Sequence, residues 1–319
     1  MLYTLKKEIN EMKKKITVVG AGHVGATTAQ LIAEKDMGDV VIVDVAEGIA
    51  RGKALDIEEA CPLWASSSRV TGTASYDETK GSDIVVITAG LARKPGMSRD
   101  DLLEANAQIV GSVAENIKKT SPEAIVIVVT NPMDVMAYLT FKITEFPRER
   151  IIGMGGILDT ARFKCFIARE LEVSPDIIST MVLGGHGDTM VPMPRLTTVS
   201  GIALSSLMEQ DKIEALIERT RKGGAEIVGY LKTGSAFYAP AASAVEIIDA
   251  IFKSKSKILP CAVYLEGEYG LNDVFTGVPI KVAAQGLKEI VHLELTDDEV
   301  KALKNSAQAV EELTGKLKI

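Results

Sequence analysis

Short runs of β-branched and aliphatic residues alternate, through the first half of the chain, with longer stretches whose apolar positions recur every three or four residues. Residues 16–19, 40–43, 84–88 and 125–129 carry the first pattern and predict buried strands. Residues 26–35, 100–119 and 132–143 carry the helical period. Such alternation with short connections predicts an α/β fold with a parallel, doubly wound sheet. Ligands on a sheet of this kind bind beyond the carboxyl ends of the strands, so the loops after residues 43, 88 and 129 are the ones to read for chemistry.

The second half is less regular. A helix is expected from about residue 157 to 170, an apolar run follows at 177–183, and 212–231 forms a long amphipathic helix. Strands are expected over 259–266, 278–283 and 289–295, before a closing helix over 296–317. Pro279 suggests an edge strand, or one that begins just after it, because proline cannot donate to a ladder. His292 alternates with apolar neighbours and reads as structural. These patterns divide the chain into an extension over 1–12, a first domain over 13–150 and a second, mixed α/β (α+β) domain over 151–319.

With 319 residues, 46% hydrophobic and 25% charged, the chain has the composition of a soluble globular protein and room for two domains. A net charge of −7 argues against nucleic acid or an anionic membrane surface as partner, since both reward a cationic face. An anionic small molecule would then need a local group of arginines. Cys61, Cys165 and Cys261 are odd in number and contain no Cys-x-x-Cys pair, so neither a disulfide framework nor a zinc site is indicated, and a reducing cytoplasm fits. Residues 1–15 hold five lysines and two glutamates without an apolar core or an arginine, unlike a secretory signal or transit peptide. Met12 is a possible alternative start. No apolar run approaches the roughly 20 residues that cross a membrane. Trp64 reads as a core or subunit-interface residue.

The chemistry begins where residues 16–19 run into Gly20-Ala21-Gly22-His23-Val24-Gly25. In a strand–turn–helix unit, Gly20 permits the tight turn, Gly22 lets the backbone approach a pyrophosphate and Gly25 allows the helix to pack closely on the strand. Alone the pattern is weak. It gains weight from Asp44, 19 residues beyond Gly25 at the end of the next strand, where an acid would hold a ribose and favour NAD over NADP. A turn residue or helix cap would also stand there. His23, inside the turn, is given no chemistry.

Beyond the strand at 84–88, the loop at 89–99 places Arg93 and Arg99 around Pro95-Gly96, able to close over an anion or simply to form a solvated basic loop. Beyond 125–129, Asn131-Pro132 offers a donor and an acceptor, or a helix cap. Asp159 and Arg162 share one face of their helix, as a plain surface ion pair or as part of a site. The sharpest feature is Gly184-Gly185-His186-Gly187-Asp188-Thr189. An imidazole is suited to exchange a proton near pH 7, and glycines on both sides let a ligand come close. Asp159 could then orient His186 while Arg162 points its fork at a substrate carboxylate.

From about Lys15 to about Leu317 these stretches, in this order, resemble the NAD-dependent lactate and malate dehydrogenases. The resemblance implies a Rossmann domain followed by an α/β substrate domain. NAD would be held by Gly20, Gly22, Gly25, Asp44, Asn106 and Asn131. His186 would take the proton of the substrate 2-hydroxyl, oriented by Asp159, while Arg162 grips the substrate carboxylate. Arg99 would polarise the carbonyl oxygen, with Asn131 adding a hydrogen bond. Lactate enzymes usually carry a glutamine at the position of Arg93, so Arg93 points to a second carboxylate and a substrate such as malate or oxaloacetate. Residues 233–240, with Ser235, resemble the family's second substrate-side segment, although glycine and serine there could equally be a helix break. The family further implies a place in the tricarboxylic acid cycle and a homodimer or homotetramer. The alternatives are a lactate or other 2-hydroxy acid dehydrogenase, or a non-catalytic NAD-binding sensor, against which the set Arg99, Asn131, Asp159, Arg162 and His186 argues.

Overall fold

Six short strands of the first half lie parallel in one sheet in the computed structural model, which describes residues 13–91, 99–254 and 256–318. They are β1 (Lys15–Val19), β2 (Asp39–Val43), β3 (Val70–Thr73), β4 (Ile84–Ile87), β5 (Ile125–Val128) and β6 (Ile151–Gly153). Helices α1 (His23–Glu34), α2 (Glu47–Ala60), α3 (Arg99–Thr120) and α4 (Met133–Thr144) lie between them. The spatial order β3-β2-β1-β4-β5-β6 reverses between β1 and β4, which is the switch point of a doubly wound fold. The expected parallel sheet is therefore present. Every residue of β4 and β5 is buried, and strands covered on both faces read as unbroken apolar runs instead of alternating ones.

The second half contributes α5 (Gly155–Leu171), α6 (Gln210–Leu231), α7 (Tyr238–Phe252), β7 (Lys257–Glu266), β8 (Asn272–Ala283), β9 (Gly286–Ile290) and α8 (Asp297–Thr314). β7 pairs antiparallel with β6 through Ala262 opposite Gly153, so one sheet continues across both halves in the order β9-β8-β7-β6-β5-β4-β1-β2-β3. The main core follows it from Ile16 to Val310. A smaller core, with Phe163, Ile167, Leu204 and Ile213, joins α5 and α6 to the short strands between residues 178 and 203.

Several elements depart from the sequence pattern. Pro279 lies inside β8, opposite Pro260 of β7, and its carbonyl accepts the Val291 N–H at 2.8 Å. It is tolerated there because β9 stops at Ile290, paired with Ile280, so the missing N–H falls where the ladder ends. For the same reason residues 291–295 are not strand. His292 is exposed and stacks on Tyr269 at 5.2 Å. The run at 177–183 divides into two two-residue strands, Ile178–Ser179 and Val182–Leu183. The closing helix starts at Asp297 because Thr296 and Glu299 form a reciprocal capping box. Trp64 is half-buried against the main core.

Candidate active site

At the end of β1 the chain turns through Gly20 with φ +106°, and a Cβ there would stand 2.7 Å from the Ala89 nitrogen. Only glycine fits both conditions. Gly25 is equally confined, since its Cβ would lie 2.7 Å from Thr88 Oγ1, whereas a Cβ at Gly22 would meet nothing within 4 Å. Gly22 is the N-cap of α1 and provides no side-chain cap, which leaves the first-turn N–H groups and the positive end of the helix without that partner. This cradle fits a pyrophosphate.

Asp44, just past β2, turns back to this cradle. Its Oδ2 accepts the Ala21 N–H at 2.7 Å and its Oδ1 accepts the Ala46 N–H at 2.9 Å, so it is a turn residue and a neighbour of the glycine turn at once. Lys53, which sequence reasoning missed, reaches from α2 to donate to the Ala21 carbonyl at 2.7 Å. Asn106 is buried in α3 and joins the two loops beyond β4 and β5. Its Oδ1 accepts the Leu91 N–H at 2.7 Å and its Nδ2 donates to the Asn131 carbonyl at 2.7 Å.

The histidine turn is held at each successive residue. Gly184, at φ +81°, exchanges backbone bonds of 2.8 and 3.0 Å with Gly277 of β8. The Gly185 N–H donates to Ser306 Oγ of α8 at 2.9 Å, and the His186 N–H donates to Asp134 Oδ2 of α4 at 2.7 Å. The His186 side chain then meets α5. Its Nδ1 lies 2.7 Å from Asp159 Oδ2, and Asp159 Oδ1 accepts from Arg162 Nη1 at 3.2 Å. Side-chain exposures of 2% for Asp159, 13% for His186 and 14% for Arg162 rule out a solvated surface pair. With Nδ1 committed to Asp159, Nε2 is the nitrogen left for a ligand. His186 lines a cavity of about 340 Å³ together with Asn131, Asp134, Leu102 and Val310.

Burial works against the charged imidazole, but the charge of Asp159 and its hydrogen bond outweigh that cost. Arg162 opposes them and Asp134 adds to them, so the pKa of His186 is raised above its ordinary value. Burial pushes Asp134 up to about 6, against the pull of His186.

Two glycines shape this site without having announced themselves in the sequence. A Cβ on Gly155 would lie 2.5 Å from His186 Cβ and 2.7 Å from Met133 Cε. A Cβ on Gly223 of α6 would stand 3.1 Å from Arg162 Cδ. Gly155→Ala is therefore expected to displace the imidazole, costing about 1–3 kcal/mol of stability by overpacking. Thermal melts and turnover together check this, and unchanged values in both would show that the neighbours give way.

His186, Asp159, Arg162 and Asn131 are thus brought to one end of the sheet, and Gly20, Gly22, Gly25 and Asp44 form a second cluster at the switch point. Ser235 is exposed in the connection between α6 and α7, where the helix break expected from residues 233–240 is found. The neighbouring Phe237 stacks on His23 at 5.0 Å. Arg93 lies outside the described residues. Arg99 opens α3, and its side chain is likewise outside them.

A glycine cradle at the switch point of a doubly wound sheet and a buried histidine–carboxylate pair are the arrangement expected of an NAD-dependent oxidoreductase. Residues 14–153 match the lactate/malate dehydrogenase NAD binding domain, and residues 157–318 match the lactate/malate dehydrogenase alpha/beta C-terminal domain. The chain belongs to the lactate/malate dehydrogenase family. It is 56% identical over 299 residues to a malate dehydrogenase of Chloroherpeton thalassium, covering 93% of this chain and 96% of that one. The crystal structure of Cryptosporidium parvum malate dehydrogenase superposes with a TM-score of 0.94 at 44% identity, covering 96% and 99% of the two chains. A lactate dehydrogenase of the same organism, complexed with lactic acid and nicotinamide adenine dinucleotide, gives a TM-score of 0.92 at 40% identity, covering 95% and 97%. Among the described residues no helix is long and apolar enough to cross a membrane.

Proposed function

We propose that this chain acts as a malate dehydrogenase, interconverting malate and oxaloacetate, and that the buried His186–Asp159 pair carries the reaction. NAD, when bound on the Gly20–Gly25 turn, supplies the hydride acceptor. Oxidising an alcohol carbon leaves a hydroxyl proton that must be taken up, and neutral His186 accepts it at Nε2. Asp159 fixes the tautomer through Nδ1 and stabilises the imidazolium that results. Arg162 has Nη1 on Asp159, while its buried Nε has no partner among the described residues, so the rest of the guanidinium is available to a substrate carboxylate. Arg99 and Asn131 act on the carbonyl oxygen, Arg93 on the second carboxylate, and Ser235 on the substrate side. Asp44 holds the ribose, and Asn106, its amide spent on Leu91 and Asn131, serves the cofactor by setting the two loops around it.

The deciding experiment compares kcat/KM for oxaloacetate and pyruvate with NADH as reductant. Oxaloacetate is expected to be strongly preferred; a preference for pyruvate would select the lactate reading, and NADH binding without consumption the sensor reading. Asp44→Ala is expected to raise KM for NADH roughly 10- to 100-fold, the worth of a charge-assisted hydrogen bond. An unchanged KM would leave Asp44 a turn residue only. The same reading places the protein in the cytoplasm and the tricarboxylic acid cycle, as a homodimer or homotetramer. Free Cys61, Cys165 and Cys261 fit a reducing compartment, and the exposed Leu55 and Leu63 fit a subunit contact.

A further inference from the structure

Asp134 stands in the first turn of α4, where an acid ordinarily faces solvent and complements the helix dipole. This one is only 4% exposed and reaches across 52 residues of sequence to accept the His186 N–H through Oδ2 at 2.7 Å. Its other oxygen, Oδ1, has no hydrogen-bond partner among the described residues. A buried carboxylate with one oxygen unsatisfied is a costly way to hold a backbone N–H, since a neutral amide would accept the same bond without burying a charge. Something other than fold stability accounts for the charge.

We infer that Asp134 is a positioning residue for proton transfer: it fixes the backbone of His186 and sets a second carboxylate, beside Asp159, against the imidazole. Two acids from two helices, α4 and α5, thus act on one ring from its backbone and its side chain, and among the described residues Arg162 of α5 is a cation that opposes them. The turn carrying His186 also brings Asp188 to this cavity, where α8 presents Val310 and α3 presents Leu102 among the described residues, and the proposed function adds the guanidinium of Arg99 from the start of α3. When Nε2 takes up the substrate proton, the imidazolium is held by both carboxylates. The negative charge of Asp134 therefore keeps His186 protonated to higher pH than Asp159 alone would, which favours the reducing direction.

This inference rests on His186 being the proton donor and acceptor, so its test uses whichever 2-oxo acid the wild-type enzyme reduces. D134N retains an acceptor for the His186 N–H and loses only the charge. Its kcat/KM for reduction is expected to lose activity earlier on the alkaline side, by about half a unit to one unit of pH, a 3- to 10-fold deficit on that limb, with KM for NADH unchanged. D134A removes the acceptor as well and is expected to lower kcat at least 10-fold further. NMR titration of the three histidines, His23, His186 and His292, in the absence of substrate should show only His186 shifted downward in D134N. If D134N fails to fold, D134S supplies a neutral hydroxyl acceptor and the same readouts apply. Coincident pH profiles and titrations for wild type and the neutral variant, with losses confined to melting temperature, would overturn the inference and leave Asp134 a packing residue. Failure of the wild type to reduce any 2-oxo acid would instead count against the proposed function.

Discussion

H186N is expected to lower turnover by roughly 10²- to 10⁴-fold, the usual contribution of a positioned acid–base group, while leaving NADH affinity intact. The two effects separate because the glycine turn and Asp44 lie at the switch point, whereas His186 is carried by residues 184–189 and held by α4, α5 and α8. Binding is checked by NADH fluorescence and turnover by absorbance. Retention of turnover within a few-fold would show that another group moves the proton. The pH dependence has a definite sign. Reduction of the 2-oxo acid consumes the imidazolium, and because the pKa of His186 is raised, that form persists above its ordinary value before the rate falls. Oxidation needs the neutral ring, so its rate rises through the same pKa. H186N should abolish both limbs.

Arg93→Gln is expected to reverse the choice of substrate. A guanidinium about 4 Å from the distal carboxylate of oxaloacetate, at an effective dielectric near 20, gains on the order of 4 kcal/mol before desolvation. On that proposal the same guanidinium would be left unpaired against the methyl group of pyruvate, and sites that strand a buried polar group reject the wrong ligand by roughly 10⁴-fold or more. The variant should therefore lose several orders of magnitude in kcat/KM on oxaloacetate and hold or gain on pyruvate. Equal losses on both acids would show that Arg93 does not read the second carboxylate.

Much of the scaffold was legible because its signals are local. β4 and β5 are covered on both faces and appear as apolar runs, and the confined Gly20 and Gly25 mark their turn by spacing alone. β6 escaped notice because three residues carry no period. α7 escaped it because its mean composition is apolar on nearly every side, which removes the polar face that marks a helix. At the site, His186, Asp159 and Arg162 were found from residue type and the three-residue spacing on α5. Gly155, Gly223 and Asp134 were not, for a common reason. Each is constrained by an atom far away in the chain: Gly155 by His186, Gly223 by Arg162 and Asp134 by the His186 N–H. Within its own helix, each looks like an ordinary glycine or first-turn acid.

The seam between β6 and β7 has a consequence for how such a chain can be divided. Gly153 of β6 meets Ala262 of β7, so the cofactor half and the catalytic half share a single ladder of strands. Cutting the chain between them would strip β7 from β6 and leave a raw, apolar strand edge on each fragment, a template for aggregation. A cut there would part the cradle from the base and expose both edges at once.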